Sequence, residues 1–276
     1  MTRRDTTEVI KHMDKALEDV AFLANSNTRV AVLELLAKRP HHRDELLDRI
    51  EASRITLART LTDLEARQWI DRTGQNCRIT PLGAWVTEEF TDVREMMSTA
   101  NRLRDVVVWL PTDHISFDIR RLHDATIIVP TDTTIAVHVQ RIAACLRGSD
   151  RVQMATSQTA LPIVEATAKA VTEDGQRFEG VLTPAVIETI TNDSTMAPLF
   201  ASLLESPSAS LYVSEEPLDV SVFIADGTVG LPLTDDDGVV RALILSADDA
   251  VTTWATDTVE RYRTRAEPVR SPVITA

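Results

Sequence analysis

Glycine is scarce in this chain, with 8 residues in 276, and neither a G-x-G-x-x-G nor a G-x-x-x-x-G-K-[ST] loop occurs. Such loops let backbone amides close on a phosphate, so both standard nucleotide cradles are excluded. There is also no G-x-S-x-G elbow and no H-E-x-x-H spacing, which removes the best-marked hydrolase and zinc-protease chemistries. The only two cysteines, Cys77 and Cys145, fall in a wing and a core helix of the reading below; they read as unpaired thiols, and no metal or other cofactor is expected. No apolar run approaches the roughly 18 residues that span a bilayer, and the first residues lack a signal peptide's apolar core. A cytoplasmic protein with no membrane partner is expected.

Lysine is the other shortage: 4 Lys stand beside 25 Arg, while 24 Asp and 18 Glu bring the net charge to −13. The imbalance is local. Residues 1–104 carry 17 Lys+Arg against 17 Asp+Glu, whereas residues 105–276 carry 12 against 25. Few lysines with abundant acid is the surface expected in concentrated intracellular salt, where carboxylates hold water and repulsion is screened, and it points to a halophilic archaeon. GC-rich codon bias also favours Arg over Lys but explains the excess acid less well. With 43% apolar residues, the chain has ordinary globular composition and length for two domains.

Residues 53–83, SRITLARTLTDLEARQWIDRTGQNCRITPLG, hold the densest signal. Leu57, Leu61 and Leu64 recur at helical spacing, while Arg54, Thr56, Arg59, Thr60, Asp63 and Arg67 fall largely outside that stripe. Ser53 is a natural N-cap. A short helix over about 42–50 precedes it, with Leu46, Leu47 and Ile50 inward and Glu51-Ala52-Ser53 as the turn. Residues 69–72 and 76–80 read as two strands around Thr73-Gly74-Gln75, with Arg72 and Arg78 flanking the tip. A helix with three arginines is by itself an ordinary solvated helix. The ordered set of helix, turn, capped helix and hairpin is what indicates a winged helix-turn-helix, whose second helix can enter a major groove.

The stretch SRITLARTLTDLEARQWI followed by RITPLG resembles prokaryotic winged-helix transcription regulators, many of them archaeal. That resemblance implies base reading by Arg54, Thr56, Arg59 and Thr60 and backbone contacts from Arg72, Gln75 and Arg78 on double-stranded DNA. The expected interface is thus Ser53, Arg54, Thr56, Arg59, Thr60, Arg67, Arg72, Gln75 and Arg78.

Upstream, two helical stripes lie within residues 5–38, separated by Asn25-Ser26-Asn27 and closed by Pro40. Downstream, 81–110 reads as one long helix in which Val86, Phe90, Val93, Met97 and Ala100 follow a coiled-coil seam. The seam fits a homodimer or packing on the same chain equally. The organisation expected is a DNA-binding domain over 1–83, a linker and dimerisation helix over 84–111, and a further domain over 112–276.

In that last part β-rich runs at 125–129, 152–155, 178–182 and 210–213 alternate with helical stretches, implying parallel strands and right-handed crossovers. Runs at 220–224, 229–233 and 239–245 follow through hairpin turns, so the expected sheet is mixed and largely parallel within an α/β two-domain chain. Asp235-Asp236-Asp237-Gly238 lacks a calcium loop's ligand spacing and reads as one of those turns. A helix over 247–266 closes the domain.

FDIRRLHDATIIVP, RFEGVLTP, DGTVGLPLTDDDGVVRALI and WATDTVERYRTRAEPV resemble the effector-type domain of archaeal regulators related to the methanogenesis regulatory family. The resemblance implies a phospholipase D-like fold. Active members need a paired H-x-K-x-x-x-x-D motif, and none of the 6 histidines here has a lysine two residues on, which implies a catalytically silent sensor or interaction module. Ligands of such sheets sit at strand C-termini, which nominates Thr131, Asp132, Thr156, Ser157, Gln158 and Thr183 as an effector pocket, or else as turn and cap residues. The function expected is a dimeric, sequence-specific DNA-binding regulator whose second domain senses a small molecule or meets the transcription machinery. The alternatives are an adaptor that binds protein through the wing module and, more remotely, a phosphodiester or nucleotide enzyme.

Overall fold

The computed structural model describes residues 15–131, 134 and 136–269, which form two compact units divided in sequence between Met97 and Ser98. The described part of the first unit holds a helix over residues 15–24 (α1), followed by α2 (Asn27–Lys38), α3 (Arg43–Arg49) and α4 (Arg54–Ala66). Ser26 caps α2, accepting from the amide of Arg29 at 3.4 Å. Its Val30, Val32, Leu33 and Leu36 meet Leu46 of α3 and Leu57, Leu61 and Leu64 of α4 in one core. Burying a Leu side chain is worth roughly 1.5–3 kcal/mol, which sets the apolar stripes inward whatever the polar faces do.

Three short antiparallel strands complete this unit in the order β1-β3-β2: β1 (His41–His42), β2 (Ile70–Thr73) and β3 (Asn76–Ile79). The sequence pattern anticipates the hairpin but not β1. His41 pairs with Cys77 and His42 with Asn76, so α3 starts at Arg43, one residue later than the pattern suggests, with His42 as its cap. Glu45 closes a capping box: the amide of His42 donates to its Oε2 at 3.2 Å, and the amide of Asp44 donates to His42 Nδ1 at 3.4 Å. After β3 the chain turns into α5 (Pro81–Leu103) through Thr80, whose amide and hydroxyl both bond the carbonyl of Trp69. Gly83 lets that first helical turn lie against the Trp69 backbone, since a Cβ there would sit 1.9 Å from its carbonyl oxygen.

α5 ends at Leu103 instead of continuing to residue 110. Leu103, Val106 and Leu110 belong to a core of the second unit, and a 3-10 turn, Val107–Trp109, carries the chain round so that they can reach it. Along the coiled-coil seam, Val86 and Phe90 are half-buried on the first unit's core, while Val93, Met97 and Ala100 stay exposed.

The second unit is an eight-stranded sheet with helices on both faces. Its elements are β4 (Thr126–Ile128), α6 (Val137–Arg147), β5 (Arg151–Thr156), α7 (Leu161–Thr172), β6 (Arg177–Leu182), α8 (Pro184–Asn192), α9 (Met196–Glu205) and β7 (Ala209–Val213). β8 (Val222–Ala225), β9 (Thr228–Thr234), β10 (Val240–Ser246), α10 (Asp249–Arg263) and β11 (Glu267–Pro268) follow. The strand order is β11-β7-β6-β5-β8-β9-β10-β4.

The sheet is mixed, as its pattern implies, but not largely parallel: among the described residues only β5-β6 and β6-β7 are parallel neighbours. β4 runs in the same sense as β5, as a strand-helix-strand crossover requires, yet lies at the far edge against β10, because β8, β9 and β10 fold back between them. Side chains alternate across the pleat. Val222, Ile224, Ala242 and Ile244 face Trp254, Val259 and Tyr262 of α10, while Phe223, Ala225, Leu243 and Leu245 join the core under α6 to α9.

Candidate nucleic-acid interface and the second-unit cavity

Ser53 caps α4, its Oγ accepting from the amide of Thr56 at 3.1 Å and lying 2.8 Å from the Thr56 hydroxyl. With the leucines turned inward, Arg54, Ile55, Thr56 and Arg59 project outward, and Ile55 is 82% exposed. Neither Arg54 nor Arg59 is in an ion pair among the described residues. The first residue of α3, Arg43, joins this face to the hairpin: its amide donates to the carbonyl of Gln75 at 2.9 Å and its Nη2 to the carbonyl of Arg54 at 3.5 Å. Arg43, Arg54 and Gln75 thus surround a small depression of about 200 Å³ with Asp44, Leu47 and Leu57.

On the hairpin, Arg78 donates through Nη2 to Asp71 Oδ2 at 2.8 Å and remains largely exposed, so this pair costs little to open. Arg72 is turned back onto α4, its Nε 2.9 Å from Glu65 Oε2 and its Nη2 on the same oxygen. The hydrogen bond from Arg72 holds the Glu65 carboxyl below the usual range, while burial pushes the neighbouring Cys77 thiol up.

In the second unit a cavity of about 440 Å³ opens at one end of the sheet. Three strands running one way, β4, β5 and β9, end there, and β8 and β10 begin there. Pro130 and Thr131 follow β4; Thr156 ends β5 and Gln158 follows it; Ser221 precedes β8. His138, Val139 and Ile142 of α6 cover one side, and Val240 and Arg241 of β10 the other. Met154 and Phe223 form the apolar floor.

Residues 17–102 match the family model of the HVO_A0261 N-terminal domain, and residues 136–265 match that of the middle domain of the methanogenesis regulatory protein FilR1. Among solved structures, TrmBL2, an archaeal chromatin protein, aligns over 87% of this chain and 92% of its own at 16% identity and TM-score 0.44. NUC of Salmonella typhimurium, a phospholipase D family member, covers 53% of this chain and 99% of its own at 14% identity and TM-score 0.41. NucT from Helicobacter pylori covers 52% and 98% at 13% identity and TM-score 0.41. No curated protein matches.

In the first unit, two of the residues assigned to the interface by sequence are elsewhere. Thr60 is 5% exposed, since it stands three residues after Leu57 and four before Leu64 and so falls on the buried stripe. Arg67 lies at the end of α4, where its Nε donates to Asp19 Oδ1 at 2.9 Å and its guanidinium covers the ring of Phe22 at 3.5 Å. It ties α4 to α1. Conversely, Arg43 and Ile55 belong to the face and were not singled out; Arg43 is brought there by the β1-β3 pairing, which leaves little trace in two residues of sequence.

In the second unit, Thr131, Thr156 and Gln158 line the cavity, and Asp132 lies outside the described residues. Ser157 does not line it and instead bonds Ser221 through its amide at 3.2 Å. Thr183 follows β6, on the opposite side of β5 from the cavity, and its Oγ1 is buried without a hydrogen-bond partner among the described residues. Asp235 behaves as a turn residue, its Oδ1 accepting from the amides of Asp237 and Val239 at 3.1 and 2.8 Å. Among the described residues no cluster of His, Cys, Asp and Glu could hold a metal, and no helix is long and apolar enough to cross a membrane.

Proposed function

We propose that the chain is an archaeal transcription regulator whose first unit is a winged helix-turn-helix, with α4 as the helix read into the major groove of double-stranded DNA and the β2-β3 hairpin as the wing. The observation that carries this is the outward row Arg54, Ile55, Thr56 and Arg59, with its two arginines outside any described ion pair, beside Arg43 and the hairpin turn. An Arg can bond both guanine acceptors, and an exposed Ile offers apolar contact to a thymine methyl. The family matches support a regulatory role, and the sequence lacks the histidine-lysine pattern of active phospholipase D enzymes.

The reading includes a homodimer, which would present two such helices to a two-fold operator. It is supported by the exposed apolar side chains Leu17 and Val20 of α1 and Leu82, Trp85, Val93 and Met97 of α5 in the first unit. The second unit would be a catalytically silent, phospholipase D-like module that senses an effector, shifting the equilibrium between dimer geometries by its differential affinity for them. Domain limits near residues 83 and 111, and a halophilic, cytoplasmic setting, complete the proposal.

Sites enriched from random duplexes by the full chain would supply the probe for fluorescence anisotropy. Arg59→Ala is expected to weaken specific affinity by about 1–3 kcal/mol. Unchanged affinity in the Arg54→Ala, Arg59→Ala double variant would overturn the assignment of α4. The adaptor reading draws on the balanced charge of residues 1–104, with 17 Lys+Arg and 17 Asp+Glu. Genome-wide crosslinking separates the two, since an adaptor gives no sequence-dependent peaks.

A further inference from the structure

The second-unit cavity has a chemistry that narrows what it can hold. Residues 105–276 carry 25 Asp+Glu against 12 Lys+Arg, yet none of the described residues lining the cavity is acidic, and Arg241 and His138 both reach it. Its walls are dominated by apolar side chains such as Ile142, Met154, Ile163 and Phe223. Three of its hydroxyls are already engaged: Thr131 with Thr134 at 2.6 Å, Thr156 with the carbonyl of Gln158 at 2.7 Å, Ser221 with Ser157 at 3.2 Å. A sugar, which needs many open polar partners, is poorly served by such walls, and a cation finds no carboxylate on them. A polyphosphate would need several cationic or amide donors.

We propose that this cavity binds a small amphipathic carboxylate, with its apolar part over Met154 and Phe223 and its carboxylate on Arg241. Pockets of roughly 300–1,000 Å³ hold small organic ligands, and 440 Å³ falls within that range. Arg241 donates from Nε to Asp235 Oδ2 at 2.6 Å, with Nη2 on the same oxygen, so its Nη1 edge is the one a ligand carboxylate meets. Asp235 organises the β9-β10 turn, and the side chain of Gln158 donates to the carbonyl of Gly238 in that turn. A carboxylate drawing on Arg241 therefore competes with Asp235 and loosens the turn beside the cavity, giving occupancy a structural consequence. This deepens the sensing part of the proposed function and rests on it only for regulation, not for binding.

The test uses the full chain at fixed potassium chloride in carboxylate-free buffer, with hexanoate, octanoate and phenylacetate as probes and hexanol and hexylamine as matched controls. Calorimetry and thermal shift are expected to show saturable binding of the carboxylates, at least tenfold weaker for the alcohol and amine, because folded-state ligands stabilise by mass action. Arg241→Gln is expected to weaken carboxylate binding at least tenfold without changing hexanol binding. Val139→Trp, which fills the cavity, is expected to abolish both; should it fail to fold, Ala160→Phe takes its place. Absence of saturable carboxylate binding, equal affinity for hexanol and hexanoate, or an Arg241→Gln variant that binds as well as the parent would each overturn the proposal. DNA affinity measured in parallel keeps the two readings apart: carboxylate binding without DNA binding sinks the regulator alone, and DNA binding without carboxylate binding sinks the cavity ligand alone.

Discussion

Arg67 and Arg59 lie two helical turns apart on α4 and illustrate why an arginine's type says little about its work. Arg67 is half-buried between Asp19 and the Phe22 ring, where a cation-π contact and a partly screened ion pair contribute on the order of 1–2 kcal/mol together. Arg67→Ala is therefore expected to lower the unfolding free energy by about that amount in urea titration while leaving specific DNA affinity within about twofold; a selective loss of DNA affinity at unchanged stability would return Arg67 to the interface. Gly83 makes the complementary case, because its missing side chain is what matters. A Cβ 1.9 Å from the Trp69 carbonyl oxygen cannot be accommodated without moving α5 off the hairpin, so Gly83→Ala is expected to cost about 1–3 kcal/mol, the usual range for overpacking. The same denaturation measurement checks it. Thr60 could have been placed correctly from sequence, by counting from Leu57 and Leu64, whereas the stacking of Arg67 on Phe22 could not, since 45 residues of chain separate the two.

At the scale of elements, the periodic stripes made the helices legible. α4 and α10 lie within a few residues of where spacing and caps put them, as do the two hairpin strands. What periodicity cannot carry is adjacency. A two-residue strand such as β1 has no pattern, and the seat of β4 beside β10 depends on three later strands folding back between it and β5. The cavity was legible only in part for the same reason: Thr156 and Gln158 lie at a recognisable strand end, but Arg241 and His138 reach it from β10 and α6 through that topology. Local chemistry at the start of α3 gives a pH signature. The amide of His42, then the His41 ring, holds the Glu45 carboxyl below the ordinary Glu value. A carboxyl depressed on folding stabilises above its unfolded pKa, about 4.3, and loses that contribution as the pH falls through the lower folded value. Glu45→Gln is thus expected to be less stable than the parent near neutrality, with the gap closing as the pH falls from the unfolded value through the lower folded one. A gap that stays constant over that interval in pH-dependent denaturation would refute the box.

At the scale of the whole molecule, charge sets stability and binding against each other along one axis, ionic strength. The net charge of −13 is concentrated in residues 105–276, so compaction there works against repulsion among carboxylates. The screening length falls from about 10 Å at 0.1 M salt to about 3 Å at 1 M, which removes most repulsion between exposed groups. Thermal stability of the full chain is expected to rise with potassium chloride over that range. On the proposed reading, DNA binding responds the other way, because every phosphate neutralised releases a counterion that concentrated salt returns. In that reading Arg54 and Arg59 meet bases, so Arg43 and Arg78 would give about two phosphate contacts per protomer, hence a slope of log affinity against log salt of about −2 per protomer. Arg78→Ala removes one of them and should make the slope shallower by about 1, with little change in which sequences are preferred. Anisotropy titrations at several salt concentrations read both quantities. A slope near zero would mean that Arg43 and the hairpin do not meet phosphates at all, and a sequence preference altered by Arg78→Ala would move that arginine from the backbone to the bases.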